Sequence, residues 1–388
     1  MRVLLIINAT LDDGVEQAIA AGRLPRKDYL ELRKALSADL IEMRTLEKRT
    51  STRIARRLFG GLVAQALLAR IVSSRYDVIF SDNETTGLVL AALLRLGRRR
   101  PRHVMIGHVL SRPMKQFLFR LLHLPATIDR VIVHSSRQEQ AVRERLGFRA
   151  EQTAMVPFQS DADFWRPRDA SVKRQICSAG REYRDYDTLL AAVEGLDVDV
   201  AIADGSPWST HRHHIKPSPR VHIGSYDYAE LRTLYAESLF VVVPLVDAEN
   251  QAGITSILEA MAMGKAVVVS HTRGQSDVVR DRRSRDRSDL TRCTQPEWAR
   301  DLGAGGMVSA SHTGMYVRPG DVAELRRAII YLLEHPERAA EMGMNGRQLV
   351  ETVMDVHHFT ERVAAIILGS DGVVESDPAA RQLDTSQV

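Results

Sequence analysis

Residues 251–270 read QAGITSILEAMAMGKAVVVS, and the order of chain types within them sets the fold. A polar turn, Glu249-Asn250-Gln251-Ala252-Gly253, leads into a short helix that is apolar on nearly every side and stops at Gly264. A helix with no polar face belongs against a sheet. The run Ala266-Val267-Val268-Val269 that follows is a strand. One carboxylate, Glu259, interrupts the apolar helix; an unpaired buried carboxylate is costly, so a partner is expected. At the other end, beside Gly253, the helix N-terminus offers bare N–H groups and a positive dipole end. The segment therefore predicts a pocket that takes an anion at one end and hydroxyls at the other. The plain alternative is an ordinary loop–helix–strand unit with a solvated Glu.

Working outward, the same alternation recurs. Strands are predicted at Arg2–Ile7, Asp77–Ser81, His103–Gly107 and Arg130–His134, and Tyr29–Met43 reads as a helix running into a short strand. Helix Ser136–Leu146 follows the last of these strands. After a polar, Pro-flanked connection from Val156-Pro157 to Arg166-Pro167, a second series begins. It comprises strand Gln175–Ala179, helix Tyr186–Glu194, strand Val198–Ala203, strand Arg220–Ile223, helix Tyr228–Ser238 and strand Leu239–Val243. Strand Gly314–Val317 and helices Asp321–Glu334, Pro336–Val350 and Asp355–Leu368 close it. Alternating βαβα predicts parallel sheets covered on both faces. The expected architecture is α/β, with two Rossmann-like domains facing each other across a cleft. Residues 1–160 form the first, 161–354 the second, 355–368 a helix returning to the first, and 369–388 a polar, disordered tail. Residues 280–312, including RDRRSRDRSD, read as a solvated insertion.

Composition narrows the class. The 388 residues exceed one ordinary core, and 44% hydrophobic with 26% charged content is that of a globular chain. Two cysteines without paired spacing argue against a disulfide scaffold or zinc site and fit a reducing cytoplasm. The opening MRVLLIINATLDDG reads as a strand rather than a signal peptide. Residues 1–170 carry 29 Lys and Arg against 18 Asp and Glu, while the whole chain is only +4, so the remainder is net negative. Such asymmetry predicts two domains with different partners.

Six stretches, in order, resemble the GT-B glycosyltransferases, most closely retaining family 4. They are IDRVIVHSSRQEQAVRERLG (128–147), MVPFQSDADFWRP (155–167), SAGREYRDYDTLLAAV (178–193), RVHIGSYDYAELRTLYAESLFVVVPL (220–245), QAGITSILEAMAMGKAVVVSHTRGQSDVV (251–279) and TGMYVRPGDVAELRRAIIYLLEHPERAAEMGMNGR (313–347). The resemblance implies transfer of a sugar from a nucleotide-sugar donor to an acceptor hydroxyl with retention. Cations aimed at a departing diphosphate stabilise the transition state more than the ground state. Arg181 and Arg184 stand where the family has an Arg and a Lys for that purpose. The bland reading of each is a surface ion pair with Glu182 or Asp185.

The resemblance further implies that Glu259 accepts from ribose hydroxyls. Gln251 replaces the family's first glutamate, which contacts the transferred sugar; a neutral amide still donates and accepts there. The backbone N–H groups of Ala252, Gly253 and Ile254 are expected to face the donor, as are Gly224 and Tyr226 in the nucleotide-proximal loop. His108 occupies the place of a histidine facing donor sugar or acceptor, with a locally satisfied strand-end histidine as the alternative. Asp13-Gly14 stands where a Gly-rich turn is usual, without the Gly-Gly pair. Asp82, Asn83 and Glu84, at a strand's C-terminal end, are acceptor-site candidates. No Asp-x-Asp motif is present, and His211, His213 and His214 lie in a Pro/Ser-rich loop, so no metal or other cofactor is expected.

In the basic half, Lys48, Arg49, Arg53, Arg56 and Arg57 precede Leu58-Phe59 and the apolar stretch Leu62–Ile71. Arg98, Arg99, Arg100, Arg102, Arg112, Lys115 and Arg120 surround Phe117-Leu118-Phe119. Arginine beside apolar groups can dock on anionic headgroups, and it can equally be a solvated helix face. Few aromatics and no nucleic-acid motif argue against nucleic acid. The expectation is a cytoplasmic enzyme, peripheral to the inner face of a membrane in the docking reading. A sugar-nucleotide epimerase on the same shell, and a shell that only binds nucleotide sugar, remain as alternatives.

Overall fold

A computed structural model describes residues 1–48, 50–97, 100–110, 113–205, 219–275, 277–279 and 312–370. Arg49, Arg98, Arg99, Arg112, His211, His213 and His214, the insertion over 280–311 and the tail beyond 370 lie outside the described residues.

Two compact units are present. The first is built mainly from Met1–Ala18, Arg26–Pro157 and the chain from Val356, the second from Phe158–Asp355. In the first, strands β1 (Val3–Ile6), β2 (Asp39–Ile41), β3 (Val78–Ser81), β4 (Arg102–Ile106), β5 (Arg130–Val133) and β6 (Thr153–Met155) form one six-stranded sheet, ordered β2-β1-β3-β4-β5-β6. In the second, β7 (Gln175–Ala179), β8 (Asp199–Ala203), β9 (Val221–Gly224), β10 (Val241–Val243), β11 (Val267–Ser270) and β12 (Gly314–Val317) form another, ordered β12-β11-β10-β7-β8-β9. Every strand pairing in both sheets is parallel. These are two Rossmann-like α/β units.

The strands are apolar throughout because both faces are covered. Val241 and Val243 of β10 pack into one core with Val267 and Val269 of β11, while Val242 and Val268 pack into another on the opposite face. Helix Ile254–Ala262 buries eight residues, Glu259 among them, and its six buried apolar residues join the first of these cores. Helix Val356–Leu368 places Phe359, Val363, Ile366 and Ile367 in the first unit's core, against Val3, Leu5, Val78 and Phe80.

Each sheet reverses its strand order once, between β1 and β3 and between β7 and β10. At such a point the connections leave in opposite directions and open a crevice at the strands' carboxyl ends, where open α/β sheets bind ligands. Asn8 and Asp82 follow β1 and β3. The segments Gly180–Arg184 and Leu245–Gln251 follow β7 and β10.

Two segments read only by their composition contribute to the cores. The polar connection 156–167 is not solvated: Ala162, Phe164 and Trp165 are core residues of the second unit. The flanking prolines and aspartates hide this, because Asp161 Oδ1 caps the turn by accepting from the Asp163 and Phe164 amides. The apolar stretch Leu62–Ile71 belongs to helix Gly61–Val72, which buries Ala64, Gln65, Ala66, Leu68 and Ala69.

Candidate functional site

In the second unit, the loop after β7 is drawn onto the loop after β10. Asp185 N donates to Pro244 O (3.0 Å) and Val246 N to Tyr183 O (3.0 Å). Tyr183 adopts φ +57°, a left-handed conformation unusual for a residue with a side chain. The turn brings Arg184 inward, where it is buried. Its Nε donates to Ala179 O (2.9 Å), Nη1 to Glu182 O (2.8 Å) and Nη2 to Ser256 Oγ (3.1 Å) in the first turn of the Glu259 helix. All these acceptors are neutral. Among the described residues no carboxylate pairs with Arg184 within 4.0 Å, and burial pushes its pKa down. A buried, hydrogen-bonded cation without a counter-ion is a standing field for an anion.

Gly253 makes this approach possible. It sits at φ +81°, and a Cβ there would lie 2.9 Å from Val243 Cγ1 and 3.5 Å from Arg184 Nη1. Two of the three amides expected to face a ligand are already used inside the turn. Ala252 N donates to Asn250 O (2.8 Å) and Ile254 N to Gln251 O (3.2 Å). The tight left-handed turn folds those N–H groups back on the loop, leaving the Gly253 amide at the helix start.

Gln251 is 91% buried, and neither its amide oxygen nor its amide nitrogen has a hydrogen-bond partner in the protein. Unsatisfied buried amides are rare and call for a reason. The loop after β11 braces this region. Gly274 N donates to Ala248 O (2.8 Å), Gln275 Nε2 to Ala252 O (3.1 Å), and Arg273 pairs with Asp247 (2.8 Å) and Glu249 (3.1 Å). A Cβ on Gly274 would strike Asn250 O at 2.1 Å.

Arg181 reaches across to the neighbouring strand end. It forms an ion pair with Asp204, from the end of β8, at 3.0 Å, and donates to the Asp204 carbonyl at 2.6 Å. Asp204 N in turn donates to Gly224 O (3.0 Å) at the end of β9. The Tyr226 ring lies over Gly224, where a Cβ would come within 2.9 Å of it. Arg181, Gly224 and Tyr226 are thus joined through Asp204, which sequence reading missed although it stands at a strand's carboxyl end. The partner expected for Glu259 is Tyr235, whose hydroxyl donates to Oε2 at 3.1 Å.

In the first unit, Asp82 accepts from Asn8 N at 3.0 Å through both oxygens, across the strand-order reversal. Burial raises its pKa to about 6, against the lowering effect of Asn83 Nδ2, Asn8 N and His108, and Asp28 pushes it further up. His108 Nε2 faces the Asp82 carbonyl at 2.9 Å and must donate there, so the neutral ring presents Nδ1 as its basic atom. The other two acceptor candidates have structural work. Asn83 caps helix Glu84–Leu94 by accepting from Thr86 N (2.9 Å), and Glu84 pairs with Lys115 while accepting from His108 N (3.1 Å). Asp13 pairs with Arg44 (2.9 Å) beside Gly14, which has φ +89°.

Among the described residues no group of three or more His, Cys, Asp or Glu side chains could hold a metal. Among the same residues no helix is long and apolar enough to cross a membrane. Several basic groups of the first unit are engaged within the fold: Arg56 with Glu47, Arg100 with Asp129, Lys115 with Glu84, and Arg102 with Ile367 O.

Residues 176–335 match the family described as glycosyl transferases group 1. Anabaena Alr3699/HepE in complex with UDP-glucose superposes with a TM-score of 0.66 at 16% identity, covering 95% of this chain and 100% of that one. Sucrose-phosphate synthase from Thermosynechococcus elongatus gives 0.64 at 16%, covering 96% and 99%. Trehalose 6-phosphate synthase from Burkholderia multivorans gives 0.60 at 10%, covering 96% and 99%. The chain has the GT-B fold, and residues 176–335 are similar to group 1 glycosyl transferases. Among curated proteins, no sequence match was found. In this GT-B chain the matched family segment spans the whole Arg181–Glu259 constellation.

Proposed function

We propose that this GT-B chain is a retaining glycosyltransferase that moves a sugar from a nucleotide-sugar donor to an acceptor hydroxyl. The observation that carries the reading is the unpartnered, buried amide of Gln251, two residues from the glycine that packs on the uncompensated Arg184 guanidinium. A sugar diphosphate meets both needs at once: hydroxyls for the amide, negative charge for the cation and the Gly253 helix start. Glu259 takes the ribose hydroxyls at the other end. As the glycosidic bond breaks, charge grows on the leaving diphosphate, and Arg184, with Arg181 held ready by Asp204, stabilises it. The departing oxygen receives the proton of the acceptor hydroxyl, which attacks from the same face. Asp82 and His108 of the first unit are the proposed acceptor-side groups.

Thermal-shift ranking against UDP, GDP, ADP and dTDP identifies the base, because a ligand that binds the native state raises apparent stability. Transfer is then measured for Arg181→Ala, Arg184→Ala and Glu259→Ala; unimpaired turnover in all three removes the proposed site. An epimerase forms product from nucleotide sugar without acceptor. A shell that only binds shows a thermal shift with no turnover.

A second proposal concerns partners. Helix Thr50–Phe59 exposes Ile54, Leu58 and Phe59 alongside Arg53 and Arg57. That pattern fits peripheral contact with an anionic bilayer at the cytoplasmic face. Salt-dependent sedimentation with phosphatidylserine vesicles, lost in Leu58→Glu, is expected; equal binding to neutral vesicles removes the proposal.

A further inference from the structure

Glu259 is held by a residue from another element. Tyr235, on helix Tyr228–Glu237, is fully buried, and its hydroxyl is a permanent donor because burial and the adjacent carboxylate push its pKa well above the usual phenol range. Its ring packs edge-on against Trp165, with centroids 5.7 Å apart and planes at 66°. Trp165 in turn meets Phe164 at 4.9 Å and Tyr228 at 6.1 Å. Arg347 closes the arrangement from the other side. Its Nη1 donates to Ala162 O (2.7 Å), Trp165 O (2.9 Å) and Ala262 O (2.7 Å) in the last turn of the Glu259 helix. One short segment, Ala162–Trp165, is therefore tied both to the end of the Glu259 helix and to the residue that hydrogen-bonds the Glu259 carboxylate.

We propose that Tyr235 is the positioning residue of the nucleotide site, with Trp165 fixing its ring. The hydroxyl sets the plane of the Glu259 carboxylate so that it meets ribose hydroxyls in one orientation. A phenyl ring would fill the same space and withdraw that hydrogen bond. The inference rests on the ribose role proposed for Glu259, and the test separates the two.

The readout is the ratio of dissociation constants for 2′-deoxy and ribo forms of a nucleoside diphosphate, taken by calorimetry. The probe is whichever of UDP, GDP or ADP gives the largest thermal shift. A merely structural role would weaken both forms equally and leave the ratio unmoved. Wild type is expected to prefer the ribo form by about 10-fold or more, as for a hydrogen bond to a charged group. Glu259→Gln and Tyr235→Phe should both bring the ratio towards one, whatever their change in Tm. Loss of the ratio in Glu259→Gln but not in Tyr235→Phe overturns the inference and leaves the ribose reading standing. A wild-type ratio near one, an unchanged ratio in Glu259→Gln, or no binding of any of the three overturns both. Should Tyr235→Phe fail to fold, Trp165→Phe, which keeps the hydroxyl and loosens its ring, decides: a reduced ratio supports the proposal and a wild-type ratio overturns it.

Discussion

Replacing Asp82 by Asn should make the first unit more stable at neutral pH while impairing transfer. The native carboxyl has its pKa raised to about 6 from the ordinary 3.8. Between those values the folded chain binds a proton that the unfolded chain does not, so stability falls as pH rises through the window. Above about pH 6 the ionised carboxylate is a standing cost, about 3 kcal/mol for a shift of roughly two units. The side chain is half-buried rather than sealed, so we discount this to about 2 kcal/mol for solvent screening. Asparagine keeps the shape and an oxygen for the Asn8 N–H, and removes the charge that Asp28 opposes. Chemical denaturation of both proteins, with each unit's transition fitted separately, measures the difference. It should be small near pH 4 and grow to about 2 kcal/mol in favour of the variant by about pH 7.5. If the carboxylate orients the acceptor hydroxyl, transfer drops by about two orders of magnitude in the same variant. A stability difference that does not change with pH, or that favours wild type throughout, refutes the electrostatic reasoning.

Other outcomes follow from the same geometry. Gly253→Ala puts a Cβ 2.9 Å from Val243 Cγ1 at φ +81°, and should lower stability by about 1–3 kcal/mol and abolish nucleotide binding, read by denaturation and calorimetry. Gln251→Glu buries a carboxylate where the side chain has no hydrogen-bond partner in the protein, and should lower stability at neutral pH by about 1–3 kcal/mol, with no loss at low pH where the new carboxyl is protonated. Burial lowers the pKa of His103 to about 4 and of His134 to about 3. Here the unfolded chain binds the extra proton, so stability is complete above about pH 6.5 and is lost as pH falls, by about 1.4 kcal/mol per unit for each ring. His134→Phe should flatten that acid limb in a pH series of thermal melts.

The strands were legible because burial on both faces writes a continuous apolar run, as in VVVS at 267–270. The helix Ile254–Ala262 and its buried acid were legible for the same reason. What could not be read was which strand end lies beside which. Arg181 meets Asp204 across the β7–β8 pairing, 23 residues away, whereas the neighbouring Glu182 and Asp185 looked like its partners. Glu259 meets Tyr235, 24 residues back, on a helix whose own pattern gives no sign of a buried hydroxyl contact. Trp165 was concealed by local chemistry: DADFWRP has the prolines and acids of a loop, but its Asp caps a turn that folds the aromatics inward. Periodicity reports burial of a face; it carries no information about lateral neighbours in a parallel sheet.

The distribution of charge shows how far this matters for function. The first half of the chain is net basic and the remainder net acidic, which by itself suggests an anionic partner for the first unit. At the crevices the signs are reversed. The first unit's strand-order reversal holds Asp82, pushed towards protonation by burial and by Asp28. The second unit's holds Arg184, buried with only neutral acceptors. Surface charge is screened within about 10 Å in ordinary salt, whereas a buried group acts through a medium that screens it far less. The field at the second crevice therefore follows the buried Arg184 at the carboxyl end of β7 rather than the exposed charges around it. Under the proposed function, the leaving diphosphate meets that field.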